Sequence, residues 1–244
     1  MAMVLPKLSI LICSLQRRKL FLERLMQCLQ PQLAEHDRVE IHTHIDNGEI
    51  NTGAKRNELL RKASGDYVAF IDDDDLVANN YVSLILSAIE SAPDAVGFPL
   101  LMSTDDIRVE YGFVSAVFDS WFEVPDPFRP GLHSFFACPN HVTPVRRDLA
   151  LSVRFPPIER REDYSYSLRL RERLKTDVFL ESPMYYYLRR TNSASADQDT
   201  FPAGGGLEAL QNELRSLSRD DIQYRMQLGI TSSRSRSAKE IAPD

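Results

Sequence analysis

Gly65-Asp66-Tyr67-Val68-Ala69-Phe70-Ile71-Asp72-Asp73-Asp74-Asp75 is the stretch on which the fold turns. Its apolar part, Tyr67 to Ile71, is too short for a helix and reads as a strand buried on both faces. Four carboxylates in a row at its end repel one another unless positive charge sits among them. In α/β sheets the carboxyl ends of strands are where ligands bind. Residues two apart on a strand face the same way, so Asp72 and Asp74 are expected to converge, with Asp73 and Asp75 facing away or opening the next helix. Two carboxylates on one side match what a protein contributes to a Mg²⁺ or Mn²⁺ site completed by phosphate oxygens and water. The plainer alternative is a solvated acidic turn in which Asp75 favours the start of the following helix. A calcium loop of EF-hand type fails, because the required glycine and terminal glutamate are missing.

Outward from this strand the chain alternates. Lys7 to Cys13 is a first buried strand, and Ser14 to Glu35 carries leucines on one helical face, with Pro31 expected to end or kink it. Arg38 to Ile45 is a second strand closed by Asp46-Asn47-Gly48, a turn signal. Ala54 to Ala63 is a helix stopped at Ser64-Gly65, Asn79 to Ser91 another, and Ala95 to Leu101 a fourth strand. Strand and helix in strict alternation predict a parallel sheet with helices on both faces. Beyond residue 101 the pattern changes. Arg108 to Phe118 reads as an antiparallel strand, and Asp119 to Pro144 as a loop holding Trp121 and five prolines. Glu162 to Lys175 is a helix, followed by short strands at Asp177–Leu180 and Met184–Leu188. A Gly-Gly-Gly hinge after Ala203 leads to an amphipathic helix with Leu207, Leu210, Leu214 and Leu217, and Thr231 to Asp244 reads as a disordered tail. The expected organisation is a domain over 1–202, divided into a nucleotide-binding half (1–101) and an acceptor-side half (102–202), then a helix over 203–230 and a tail over 231–244.

The 244 residues are 43% hydrophobic with a net charge of −6, which suits one large domain and gives no global attraction for polyanions. Three cysteines without metal spacing read as reduced thiols. No apolar run reaches the roughly 18 residues needed to cross a bilayer, and the amino terminus lacks the basic start of a signal peptide. The expectation is a soluble, cytoplasmic protein without a transmembrane segment.

Asp46 at the end of the second strand suits a hydrogen bond to a nucleoside, or else an Asx turn with Asn47-Gly48. Lys55, Arg56 and Asn57 open a helix where cations oppose the macrodipole, so an anionic diphosphate or the acidic cluster is the expected reason for them. Taken together, Leu8 to Ser14, Ile45-Asp46-Asn47-Gly48, Gly53-Ala54-Lys55-Arg56-Asn57 and Ala63 to Asp75 resemble family 2 glycosyltransferases of the GT-A fold, in order and spacing, over about residues 7 to 190. The resemblance implies a mostly parallel, Rossmann-like sheet with a smaller antiparallel acceptor-side part. It also implies inverting transfer from a nucleotide sugar, usually a UDP-sugar, with Mn²⁺ or Mg²⁺. By that resemblance Ser14, Asp46, Lys55, Arg56, Asn57, Asp72 and Asp73 bind the nucleotide sugar, and Asp74, with Asp72, holds the metal. Glu162-Asp163 resembles the family's Glu-Asp motif, with Asp163 as the base that takes the acceptor hydroxyl proton.

Arg56, Arg189 and Arg190 are candidates to assist the departing diphosphate. Many relatives supply a metal-binding histidine near Tyr186 to Asn192, where this chain has none, leaving His133 and His141 as alternatives. Trp121 is expected either in an acceptor platform or in the core. The acceptor is open between a saccharide or glycolipid and a hydroxylated base in DNA. The second is suggested by eleven Lys and Arg against seven Asp and Glu between residues 146 and 190. Nucleotidyl transfer, or a non-catalytic nucleotide- or metal-binding domain, stands as the alternative function. Nucleotidyl transfer usually needs a Gly-rich loop, which Ser14 to Arg18 does not supply.

Overall fold

A computed structural model describes residues 5–105, 107–189 and 208–241, with side chains through residue 235. In chain order the elements are β1 (Leu8–Leu15), a 3₁₀ turn (Gln16–Arg18), α1 (Lys19–Ala34), β2 (Val39–Asp46), α2 (Thr52–Lys62), β3 (Tyr67–Phe70), β4 (Leu76–Val77), α3 (Tyr81–Ile89), β5 (Ala95–Thr104) and β6 (Arg108–Val114). There follow β7 (Phe122–Pro125), β8 (His133–Ala137), β9 (Val145–Arg146), α4 (Arg147–Val153), α5 (Glu162–Arg171), β10 (Asp177–Phe179), β11 (Tyr185–Arg189), α6 (Glu208–Ser216) and α7 (Arg219–Ile241).

The expected α/β architecture is present. β1 lies parallel between β2 and β3, and every residue of β3 is buried. One face of the sheet packs Leu25 and Leu29 of α1 and Tyr81, Val82 and Ile85 of α3; the other packs Leu59 and Leu60 of α2 with Ala150, Tyr166 and Leu170. Burying apolar side chains on both faces at ~25 cal/mol per Å² is the main stabilising contribution to such a layer. Gly65 lets β3 close onto β1: a Cβ there would lie 2.8 Å from the Ser9 backbone nitrogen and 2.9 Å from the Leu8 carbonyl carbon.

Several elements differ from expectation. β5 does not pair with β3, because the two-residue β9 runs antiparallel between them. Pro31 does not end α1; it lies three residues inside the carboxyl end, and the helix continues to Ala34. The Pro-rich segment holds β7 and β8, which extend the second half of the sheet beyond β6; β8 runs parallel to β6 and β7 antiparallel to β8, so this half is mixed and not antiparallel throughout as expected. Its prolines do not prevent this, since Pro125 falls at the last position of the edge strand β7. α4 was not anticipated. α7 continues to Ile241, so residues 231–241 are helical rather than disordered. Leu210 and Ile222 of α6 and α7 bury against Phe113, Phe118 and Phe136, giving this half of the sheet its own core. Among the described residues no helix is long and apolar enough to cross a membrane. Arg190, the glycine hinge and the chain end beyond residue 241 lie outside the described residues.

Candidate active site

The acidic run leaves β3 and forms a turn, closed by the Asp75 amide donating to the Asp72 carbonyl at 3.1 Å. Strand alternation therefore does not orient these carboxylates; the turn and its partners do. Asp73 and Asp75 are buried, whereas the Asp72 and Asp74 side chains keep 30% and 37% of their surface. Asp75 does not open the next helix. It accepts from the Tyr185 hydroxyl at 2.7 Å and from the Leu188 amide at 2.8 Å, tying the turn to β11. The same Tyr185 oxygen accepts from the Asp72 amide at 3.1 Å. Burial, followed by the neighbouring Asp74 and Asp72 charges, pushes the Asp75 carboxyl well above the carboxylate range.

Asp72 is held by two cations or potential cations. Arg56 Nη2 donates to its Oδ1 at 3.1 Å, and His141 Nε2 lies 3.2 Å from its Oδ2. Burial acts to raise this carboxyl, but Arg56 and His141 outweigh it and hold it below the ordinary range. Asp73 receives a 2.5 Å hydrogen bond from the Ser14 hydroxyl and pairs with Arg18 at 2.8 Å; burial nevertheless lifts it to about 6. Ser14 and Asp73, both expected to meet the nucleotide, thus hold each other. Arg18 also reaches Asp74 Oδ2 at 2.6 Å.

Arg56 projects from α2 onto the rings of Phe70 and Phe155, 5.3 and 5.5 Å from their centroids. Its Nε is 3.4 Å from Glu162 Oε1, and Nη1 has no hydrogen-bond partner among the described residues. The α2 start is seated against the segment leading to Glu162: Gly53 donates to the Ile158 carbonyl at 3.2 Å, and a Cβ on Gly53 would overlap the Pro156 carbonyl oxygen. Asn57 completes this seam. Its amide donates to the Phe155 carbonyl at 2.8 Å and accepts from the Phe155 amide at 2.9 Å, so it clamps α2 to the chain that follows α4. Glu162 is buried beside Arg56, and burial raises its carboxyl more than Arg56 lowers it.

Two cavities meet at Arg56 and Asp72. The first, of about 390 Å³, is walled by Ser14, Arg18, Lys55, Asp73, Asp74 and Arg189 as well as by the shared pair. The second, of about 690 Å³, is walled by Trp121, His141, Glu162, Asp163 and Arg189 and floored by β5, β6 and β8. Asp46 lines neither: it accepts from the Gly48 and Ile50 amides as an Asx-type turn and pairs with Lys55. His133 sits in β8 and also lines neither cavity, whereas His141 stands between Asp72 and Asp163, its Nδ1 3.8 Å from Asp163 Oδ2. Sequence reading took His141 only as an alternative metal ligand and missed Arg18 and Tyr185. The basic Arg17-Arg18 pair directly after β1 was the available signal for Arg18.

Among the described residues no three His, Cys, Asp or Glu side chains form a ready-made metal shell. Asp74, half-open to the first cavity, suits the other mode, in which Mg²⁺ or Mn²⁺ takes one or two carboxylates and fills its shell with phosphate oxygens and water.

The family model described as Glycosyl transferase family 2 matches residues 21–150, more than half of the chain. No curated protein matches the chain. Among solved structures, S. aureus TarS 1–349 aligns with a TM-score of 0.50 at 16% identity, over 78% of this chain and 61% of that one. The same protein in complex with UDP-GlcNAc gives 0.52 at 14% identity, over 88% and 69%. Its complex with UDP gives 0.50 at 15% identity, over 88% and 73%. Likeness at this identity speaks for the fold, and the chain spans less than two thirds of the first of these structures.

Proposed function

The chain belongs to glycosyl transferase family 2 and has the GT-A fold, and from that premise we propose that it moves a sugar from a UDP-sugar to an acceptor hydroxyl with inversion. The observation that carries this reading is the meeting of two cavities at Arg56 and Asp72, with Asp74 in one and Asp163 in the other. The first has the cations to seat a nucleotide diphosphate: Arg18, Lys55 and the unpartnered Nη1 of Arg56. The bound states of the TarS structures, UDP-GlcNAc and UDP, are the reason to choose uridine as the nucleotide. Asp74, with Asp72 beside it, would hold Mg²⁺ or Mn²⁺, which when bound supplies charge neutralisation at the diphosphate.

In the transfer, Asp163 takes the acceptor hydroxyl proton as that oxygen bonds to the anomeric carbon. The bond from that carbon to the diphosphate breaks on the opposite side, and its electron pair leaves with the diphosphate oxygen. Arg56 stabilises the charge growing there, and its fixed place on two aromatic rings means little reorganisation is needed. His141 sits where it can orient Asp163 against Asp72.

A melting-shift screen of nucleoside diphosphates with and without Mn²⁺ tests the donor side. UDP with Mn²⁺ is expected to give the largest shift, and Asp74→Asn to remove the part that depends on metal. Equal shifts for every base, or a variant that keeps the metal effect, would sink the assignment. UDP release from a panel of UDP-sugars then reads turnover.

A further inference from the structure

The second cavity carries charge that a neutral acceptor would leave unused. Arg160, Arg161 and Arg189 stand in its wall, and among the described residues none of the three has an ion-pair partner, although the chain as a whole is acidic. Arg160 and Arg161 are also solvent-exposed. Arg161 holds a backbone φ of 64°, a left-handed conformation that disfavours a residue with a Cβ. This residue immediately precedes buried Glu162 and the proposed base Asp163.

The carboxylates of Asp72, Glu123, Glu159, Glu162 and Asp163 line the same cavity, and between the charged groups its wall is apolar and aromatic. Leu100, Met102, Phe135 and Ala137 form the floor, and Trp121 and Tyr187 the sides. Trp121 is fixed in place: its Nε1 donates to the Ser167 hydroxyl at 2.8 Å and its ring meets Tyr164 edge-on at 5.3 Å. Both partners belong to α5, the helix that carries Asp163, so the indole and the carboxylate are held on one frame. The indole remains 36% exposed. About 690 Å³ is ample for one nucleoside unit.

We infer that the acceptor is a phosphodiester strand that inserts a hydroxyl-bearing base beside Trp121 and Asp163 while its backbone phosphates pair with Arg160, Arg161 and Arg189. This deepens the sugar-transfer reading and rests on it. Neutral saccharides also stack on tryptophan, but they give three unpaired guanidiniums nothing to bind. A planar base uses the aromatic wall through stacking, and the phosphates on either side use the rim.

The test is binding of the purified full chain to fluorescent single-stranded 12-mers bearing one 5-hydroxymethylcytosine, measured by anisotropy across a salt series. The comparison probes are the same strand with an abasic site at that position and a neutral glucan. Tight, salt-dependent binding to the hydroxymethylated strand is expected, with weaker binding to the abasic strand and none to the glucan. Arg160→Gln with Arg161→Gln should weaken strand binding about tenfold or more and flatten the salt slope by about 1.4, at ~0.7 per phosphate contact on a single strand. Arg161→Gly should lose affinity while its melting temperature holds or rises, because the left-handed backbone is relieved. An unchanged slope in the double variant overturns the proposal, as does equal affinity for the abasic strand or preference for the glucan. Melting shifts with UDP are read on the same preparation. A chain that binds UDP but no strand refutes the acceptor assignment and leaves sugar transfer standing, whereas failure to bind UDP refutes the donor reading itself.

Discussion

At the scale of single residues, the site rests on which carboxylates are spoken for. Asp73 and Asp75 are buried and held by Ser14, Arg18, Tyr185 and the Leu188 amide, so Asp72 and Asp74 are the two of the run whose side chains keep substantial exposed surface. Arg56 is the residue whose loss should cost most. It is 4% exposed, and its removal leaves Asp72 and Glu162 without their buried cation. Arg56→Met is expected to destabilise the fold by on the order of 3 kcal/mol in urea unfolding, since breaking a buried pair strands a charge. Asp163→Asn is expected to abolish UDP release to acceptor while leaving the melting shift with UDP in place. Loss of the shift as well would assign Asp163 to donor binding.

At the scale of elements, what brings the site together is how α2 and the strand ends are pinned. Glu40 of β2 accepts from the Ser9 hydroxyl at 2.6 Å and from the Ser64 amide and hydroxyl at 2.6 and 2.9 Å, joining β1, β2 and the turn into β3. Burial would raise this carboxyl, but these donors bring it from 4.5 down to about 2. A depressed carboxyl stabilises the fold above its unfolded value and loses that contribution as pH falls through the folded one. Glu40→Gln should therefore be less stable than the parent at pH 7, by at most about 3 kcal/mol, with the gap closing between pH 4.5 and 2. Unfolding curves at pH 7 and pH 3 measure this, and a gap independent of pH contradicts it. The longer strands and the helices of the first hundred residues were legible because each shows one clear period between Gly, Pro or Asx stops, whereas the two-residue β4 was not. β7, β8 and β9 were not: they are two to five residues long, and their pairing comes from β6, β3 and β5 rather than from a pattern of their own.

At the scale of the whole molecule, the carboxyl-terminal helices are part of the fold. Arg225 of α7 is 3% exposed and pairs with buried Asp126 of the Pro-rich segment at 3.2 Å, its guanidinium lying between Tyr111 and Phe128 at 4.2 and 4.8 Å from their centroids. Arg225→Met should destabilise the chain by on the order of 2–3 kcal/mol, because among the described residues Asp126 then keeps Arg129 alone as its cation. Because β6 and β8 also floor the second cavity, this variant is expected to weaken acceptor binding before donor binding. Parallel falls in both would show that the two halves unfold as one unit.

The sequence by itself determined the alternating layers, the family and the identity of the carboxylates, because periodicity, turn residues and motif order are local properties of the chain. Only the tertiary structure decided which of those groups remain available. Asn57 and Asp46 are taken up by backbone partners, and Asp73 by Ser14 and Arg18. His141 arrives between Asp72 and Asp163 from 69 residues beyond Asp72. Whether a side chain is spent on the fold or left for a ligand depends on neighbours distant in sequence. Hydrogen bonds and desolvation are settled only when those neighbours meet.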